Sequence, residues 1–180
     1  DLIQKQIRFT RDYQNIGENA PQWQNVATTI GNAIGGLDLK GIRVEKDLGG
    51  LEIFADFLLE KVFYNLFDNA IRHGERITHV RIYCAREGPE LVLIFGDDGR
   101  GIRPENKDRI FKRGFGKHTG LGLFLTREIL AITRIDIAET GEFEKGARFE
   151  LRIPAGMFRF PEADNPIKLS NSETMNLHAW

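Results

Sequence analysis

The sequence predicts an α+β fold: a two-layer sandwich in which a mixed, largely antiparallel sheet is covered on one face by helices. Three observations predict it. The chain has 180 residues, and at about 150 residues per domain that allows one compact domain with a small appendage. Strand patterns occur as neighbouring pairs instead of alternating singly with helices as in a doubly wound sheet. The longest helical pattern has one apolar edge, which suits a helix lying across one sheet face.

Leu2 to Tyr13 reads as a helix with Ile3, Ile7 and Tyr13 on one side, ended by a break from Gly17 to Pro21. Trp23 to Ile34 reads as a second helix, closed by Gly35 and Gly36. Ile42 to Leu48 and Leu51 to Ala55 read as short strands around Gly49-Gly50, a hairpin signal. Asp56 is suited to cap a long helix that runs to His73 and stops at Gly74. His79 to Ala85 and Glu90 to Phe95 form a second hairpin around Gly88-Pro89. A short helix is expected from Pro104 to Phe111, with proline at its first position, and another from Gly120 to Thr133. Asp136 to Thr140 and Arg148 to Ile153 close the core as strands, and residues 155–180 read as a tail with few periodic apolar positions.

Composition narrows the function classes. Charged residues make up 28%, and 25 basic side chains nearly cancel 26 acidic ones. That balance is unlike a disordered acidic tail or a polybasic nucleic-acid binder, so no nucleic-acid partner is expected. The single cysteine, Cys84, excludes an intrachain disulfide and a cysteine zinc cluster, and fits a reducing, cytoplasmic compartment. No window approaches the ~18 continuous apolar residues of a membrane span, so no direct membrane contact is expected. The opening at Asp1, without a signal-like apolar region, points to a fragment of a longer protein.

Glycine is the informative residue. Seven glycines (96, 99, 101, 114, 116, 120 and 122) fall within 27 residues. The first group, Gly96-Asp97-Asp98-Gly99-Arg100-Gly101-Ile102, directly follows an apolar strand. It can be a plain turn, but a carboxylate at a strand end also accepts from an exocyclic amine, and Cβ-free neighbours admit a flat ring. The second, Lys117-His118-Thr119-Gly120-Leu121-Gly122-Leu123, enters a helix, whose exposed amides and dipole favour an anion. It has neither P-loop nor dinucleotide-fingerprint spacing. Between them, Phe111, Arg113, Gly114-Phe115-Gly116 and Lys117 read as an ordinary loop or as a hinged flap carrying positive charge.

On a wheel of about 100° per residue, Asn69 falls inside the apolar arc of Leu58, Val62 and Leu66, with Asn65 beside it. Such asparagines are often satisfied core residues, because a buried unsatisfied amide costs about 1–3 kcal/mol. Here the i, i+4 spacing puts both amides on one edge that continues to Lys61 and Arg72, a suitable site for a hydrated cation and phosphates.

Together these segments resemble the ATP-binding catalytic domain of histidine protein kinases, of the GHKL superfamily. Asn65-Leu66-Phe67-Asp68-Asn69-Ala70 is similar to its asparagine box, Asp97 to Gly101 to the first glycine box, and Phe111 to Phe115 to the phenylalanine box. Thr119 to Leu123 is similar to the second glycine box, and Gly146-Ala147-Arg148-Phe149 sits where a final glycine motif belongs. The resemblance covers about residues 40–154. It implies a Bergerat-type ATP-binding fold, with ATP and Mg²⁺ as cofactors.

By that resemblance Asn69 is the Mg²⁺ ligand and Asn65 orients water or phosphate beside it. Arg72 and His73 stand where a basic residue and a tyrosine touch phosphates. Asp97 reads the adenine amino group, Gly99, Gly101, Ile102 and Phe115 belong to the ring's surroundings, and Thr119, Gly120, Leu121 and Gly122 hold phosphates. Arg113 or Lys117 offers charge to the γ-phosphate. His73, His118 and Ala147 depart from the family's usual residues, which bears on nucleotide affinity and leaves the skeleton in place.

Asn65 stands where hydrolytic branches carry a water-activating glutamate, and an amide has no basic lone pair at neutral pH. The expectation is phosphoryl transfer to a side chain. None of His73, His79, His118 and His178 is followed by an acidic residue at the head of a long helix, so the acceptor histidine is expected outside this sequence. The resemblance makes residues 1–36 the end of a dimerisation helix and its junction, 37–156 the catalytic domain and 157–180 a tail. Its implied partners are the protein's own dimerisation and phosphoacceptor helices, in a homodimer, and a response regulator receiver domain. Two alternatives remain: an anti-sigma-like serine kinase of the same superfamily, and a scaffold that no longer binds nucleotide.

Overall fold

The structure, a computed structural model, describes residues 2–39, 41–115 and 120–161. It contains α1 (Leu2–Gln14), β1 (Gln22–Asn25), α2 (Val26–Ile34), β2 (Arg43–Asp47), β3 (Glu52–Ala55) and α3 (Leu59–His73). There follow β4 (His79–Glu87), β5 (Glu90–Asp97), α4 (Gly122–Ala131), β6 (Asp136–Glu139), β7 (Arg148–Ile153) and β8 (Phe158–Arg159). The main sheet has the order β2-β4-β5-β7-β6, with β2 parallel to β4 and every other pair antiparallel. A small sheet has the order β1-β3-β8. The expected α+β sandwich is therefore present, with this second sheet added to it.

Strand alternation puts Leu91, Leu93 and Phe95 of β5 into one core with Val62, Phe63, Leu66 and Phe67 of α3. Phe67 meets Phe95 edge to face, with ring centroids 4.9 Å apart. Val92 and Ile94 lie on the opposite face, outside that core. Helices thus cover one side of the main sheet, and the other carries Arg81, Tyr83, Arg148 and Glu150. No helix among the described residues is long and apolar enough to cross a membrane.

Several local expectations are corrected. Residues 22–25 are a strand, because their backbone pairs with β3 and Gln24 Nε2 donates to the carbonyls of Ala55 (3.0 Å) and Asp56 (2.8 Å). The second helix starts at Val26, where the Thr28 amide donates to the Asn25 side chain, a capping bond. Residues 43–55 do not form a hairpin: β2 joins β4 and β3 joins β1, with Leu48 and Leu51 buried where the chain passes between sheets. The expected helix from Pro104 to Phe111 is two separate 3-10 turns, Pro104–Asn106 and Arg109–Phe111. Within the expected tail, Phe158–Arg159 pair with β3; residues 162–180 lie outside the described ones.

Asp56 precedes α3 by more than one cap position. Its carboxylate accepts from the amides of Leu58 (2.9 Å) and Gly17 (3.0 Å), tying the segment after α1 to the start of α3. Helix α1 also packs on α4, with Tyr13 stacked on Phe124 at 6.1 Å, and on α3, with Asp12 paired with Lys61 at 3.1 Å.

Cys84 of β4 faces partly into the structure, where burial, helped by Asp47, pushes its thiol up to about 11. At a pH of about 8 its alkylation is expected to run about two orders of magnitude slower in the folded chain than in urea, rising with pH through the folded-state value. Timed iodoacetamide labelling with mass detection checks this, and equal rates would refute it.

Candidate functional site

Helix α3 joins the motif-bearing segments. Its C-terminal end meets the turn after β5: a Cβ on Gly99 would lie 2.7 Å from the Gly74 Cα, and the Arg100 amide donates to the Gly74 carbonyl at 3.2 Å. Its middle meets the start of α4, where Asn65 Nδ2 donates to the Gly122 carbonyl at 3.0 Å and to Thr126 Oγ1 at 3.3 Å. Asn69 lies on α3 one turn after Asn65 and one turn before His73, half-buried.

The turn after β5 treats its two aspartates differently. Asp98 is structural: its carboxylate accepts from the Thr78 amide and hydroxyl and from the His79 amide. Burial acts to raise that carboxyl, but the Thr78 and His79 donors prevail and hold it below its ordinary value. Asp97, only 8% exposed, lies on the same side of β5 as Phe95. Its Oδ1 accepts from the amides of Gly99 (2.9 Å) and Ala147 (3.1 Å). No described residue donates to Oδ2. Burial raises this carboxyl above its ordinary value; the two amides oppose the rise, and Asp98 and Glu139 add to it. A carboxylate with one oxygen anchored and one open is arranged to accept a single directed donor.

The loop between β6 and β7 supports this turn. A Cβ on Gly101 would lie 2.8 Å from the carbonyls of Glu142 and Gly146, so this glycine, like Gly99, permits close backbone packing. Ile102 beside it packs on the core. Glu139, its side chain fully buried, accepts from the amides of Gly141 (3.0 Å) and Arg148 (3.1 Å). Lys107 Nζ donates to the Gly141 carbonyl and lies 2.9 Å from Glu139 Oε2, in poor hydrogen-bond alignment, as an ion pair. The clamp ties the first 3-10 turn to β6.

At the start of α4, Leu121 occupies the cap position and no side chain among the described residues caps the first amides. Uncapped N-terminal amides carry the positive end of the helix dipole and favour an anion. The base of the flap closes over Gly120: the Gly114 amide donates to the Gly120 carbonyl at 3.1 Å, and a Cβ on Gly120 would lie 2.5 Å from Phe115 backbone.

The structure thus brings Asn65, Asn69, Asp97, Gly99, Gly101, Gly120, Leu121 and Gly122 into one connected set of segments. Arg72, also on α3, pairs with Asp68 at 2.6 Å, and His73 is exposed at the helix end. Arg113 is turned to α1, its guanidinium 5.9 Å from the Phe9 ring centroid, and the Phe115 ring lies under Arg109 at 4.8 Å. Lys117 and Thr119 lie outside the described residues. Sequence reasoning missed Thr126, wholly buried, and the Lys107–Glu139 clamp. Thr126 left a faint signal as a polar residue on the buried edge of an apolar helix; the clamp left none, since its partners are 32 residues apart in chain order.

A buried carboxylate with one oxygen open, a helix start with no described side-chain cap and an asparagine-bearing wall on an α+β sandwich are the features of a nucleotide-binding class of domain. Residues 55–157 match the family of histidine kinase-, DNA gyrase B-, and HSP90-like ATPases, and the chain belongs to that family. It is 27% identical over 169 residues to the sensor histidine kinase MtrB of Mycobacterium tuberculosis, which covers 85% of this chain and 30% of MtrB. With the sensor protein BceS of Bacillus subtilis it shares 32% identity over 124 residues, 64% of this chain and 37% of BceS. Its fold is similar to that of full-length ShkA in complex with AMPPNP, with a TM-score of 0.69 at 19% identity, over 85% of this chain and 35% of ShkA. The chain spans about a third of the length of these relatives.

Proposed function

We propose that this chain binds ATP with Mg²⁺ and serves as the catalytic half of a sensor histidine kinase, moving the γ-phosphoryl group to a histidine on another segment. The observation that carries the reading is Asp97: buried at a strand end, anchored through Oδ1, with Oδ2 open to the exocyclic amine of adenine.

The residues present fit Mg²⁺. No described residue hydrogen-bonds the half-buried Asn69 amide, which leaves its oxygen as a hard ligand. No group of three His, Cys, Asp or Glu side chains able to hold a metal occurs among the described residues. That suits Mg²⁺, which is commonly held by phosphates and waters with one or two protein oxygens. When bound, the ion neutralises phosphate charge.

Asn65 supports transfer over hydrolysis. Because the Gly122 carbonyl can only accept, the Asn65 NH₂ must face it, and Oδ1 is directed away as an acceptor that cannot take up a proton from water. The incoming histidine nitrogen bonds to γ-phosphorus as the bond to the ADP oxygen breaks, and the α4 amides with Arg113 or Lys117 supply charge. Partners on this reading are the parent's dimerisation helices, in a homodimer, and a response regulator receiver domain that takes the phosphoryl group onward, in the cytoplasm.

Incubating the chain with γ-labelled ATP, Mg²⁺ and the parent's histidine-bearing helices is expected to put acid-labile label on the added segment. Asn69→Ala is expected to lower transfer about 100-fold. Phosphate release that outruns transfer would refute the kinase reading.

A further inference from the structure

The face of the main sheet opposite the helices holds a cavity of about 480 Å³, which the nucleotide reading leaves unused. That volume lies in the range of small-molecule sites, roughly 300–1,000 Å³. Strand register builds its floor: Arg81 and Tyr83 of β4 stand opposite Gly96 and Ile94 of β5, which stand opposite Arg148 and Glu150 of β7. Phe143, from the β6–β7 loop, lines the rim. Asp97 shares a wall with the cavity, but its alternation with Gly96 directs its side chain to the helical face, so the end of β5 is a partition between two sites.

The charges of this cavity are unequally committed. Glu150 accepts from Thr140 Oγ1 (2.9 Å) and Arg148 Nε (3.1 Å), and its second oxygen faces Arg152 at 3.4 Å. Lys145 pairs with Glu142 at 2.9 Å, and Lys107 is held by Glu139. Arg81 differs: among the described residues no carboxylate lies within ion-pair distance, and its guanidinium rests over the Tyr83 ring at 4.9 Å. Beside it, Gly96 leaves bare strand backbone with no heavy atom nearer than 3.9 Å to a Cβ placed there, while Ile94, next on that face, is already buried.

We propose that this cavity binds a small planar molecule bearing a carboxylate. The ring lies over the Gly96 backbone beside Tyr83, and the carboxylate takes the guanidinium fork of Arg81, a geometry that suits two parallel hydrogen bonds. The site is independent of the nucleotide reading and stands if that reading fails.

The test is an amide NMR titration of the whole chain with 2-naphthoate, with uncharged 2-naphthylmethanol as the comparison. Saturable shifts are expected at Tyr83, Ile94, Gly96 and Lys145, unchanged by prior addition of Mg²⁺-AMPPNP. Arg81→Gln is expected to weaken 2-naphthoate about tenfold and leave the alcohol unaffected, and Arg81→Lys to recover part of the loss. Arg81 is half-exposed on the sheet surface, and an unchanged unfolding midpoint confirms that its variants fold. Shifts centred on Asn69 and Ile102, no saturation, or equal naphthoate affinity in Arg81→Gln would each overturn the proposal.

Discussion

Asp97→Asn is expected to lower ATP affinity by about 100-fold or more while leaving the fold at least as stable as the parent. The asparagine keeps an acceptor at Oδ1 for the amides of Gly99 and Ala147. At the second position it puts an NH₂ where the reading places an adenine amine, so a charge-assisted bond becomes a donor facing a donor. Stability moves the other way because burial raises the Asp97 carboxyl above its ordinary 3.8. A carboxyl whose folded-state value exceeds its unfolded value destabilises the fold at neutral pH, where it is ionised, and that penalty vanishes as pH falls through the raised value towards 3.8. The variant is therefore more stable than the parent at neutral pH, and the gap closes on acidification. Calorimetric titration with Mg²⁺-ATP and urea unfolding across pH read the two effects separately. Unchanged affinity in the variant would remove Asp97 from the site.

Gly146→Ala is expected to be the most damaging single-methyl change in the loops around the site, costing about 2–5 kcal/mol. Gly146 has φ +123°, a conformation that L side chains rarely adopt, and a Cβ there would overlap the Asp97 carbonyl and approach the Asp98 Cα at 3.3 Å. Backbone strain contributes about 1–3 kcal/mol and overpacking a similar amount, because the atoms struck are backbone held in the sheet ladder. Gly156→Ala is the control: its φ is +83°, nothing lies within 4 Å of its missing Cβ, and the expected loss is about 1 kcal/mol. Urea midpoints of the two variants check the ranking, and equal losses would refute it. Where Gly146→Ala still folds, ATP affinity falls too, since the adjacent Ala147 amide no longer anchors Asp97 squarely.

Legibility in the sequence followed the range of the interaction concerned. Gly74 ends α3, and the Gly88-Pro89 turn joins β4 to β5 as periodicity and turn chemistry predict, because those signals act within a few residues. The failures are pairings with distant chain. Residues 22–25 carry a helical apolar spacing that backbone bonding to residues 52–55 overrides, and the glycine pair after β2 looks like a hairpin although its strands serve different sheets. Arg113 was legible as a cation in the flap; that it rests on Phe9 depends on where α1 packs.

The sequence by itself determined which groups the proposed function draws on: a carboxylate at a strand end, two amides at i, i+4 on a core helix, and glycines where backbones must approach closely. Their periodicity and spacing are local properties of the chain. The tertiary structure alone decided that Asp97, not Asp98, faces the helical side with one oxygen open, that Asn65 is oriented by Gly122 and Thr126, and that Arg81, with no carboxylate of the described residues in ion-pair reach, borders the cavity on the opposite sheet face. The physical reason is hydrogen-bond satisfaction across the fold: the partners that orient Asn65 and Asp97 lie 57 and 50 residues away in the chain, beyond the reach of any local pattern.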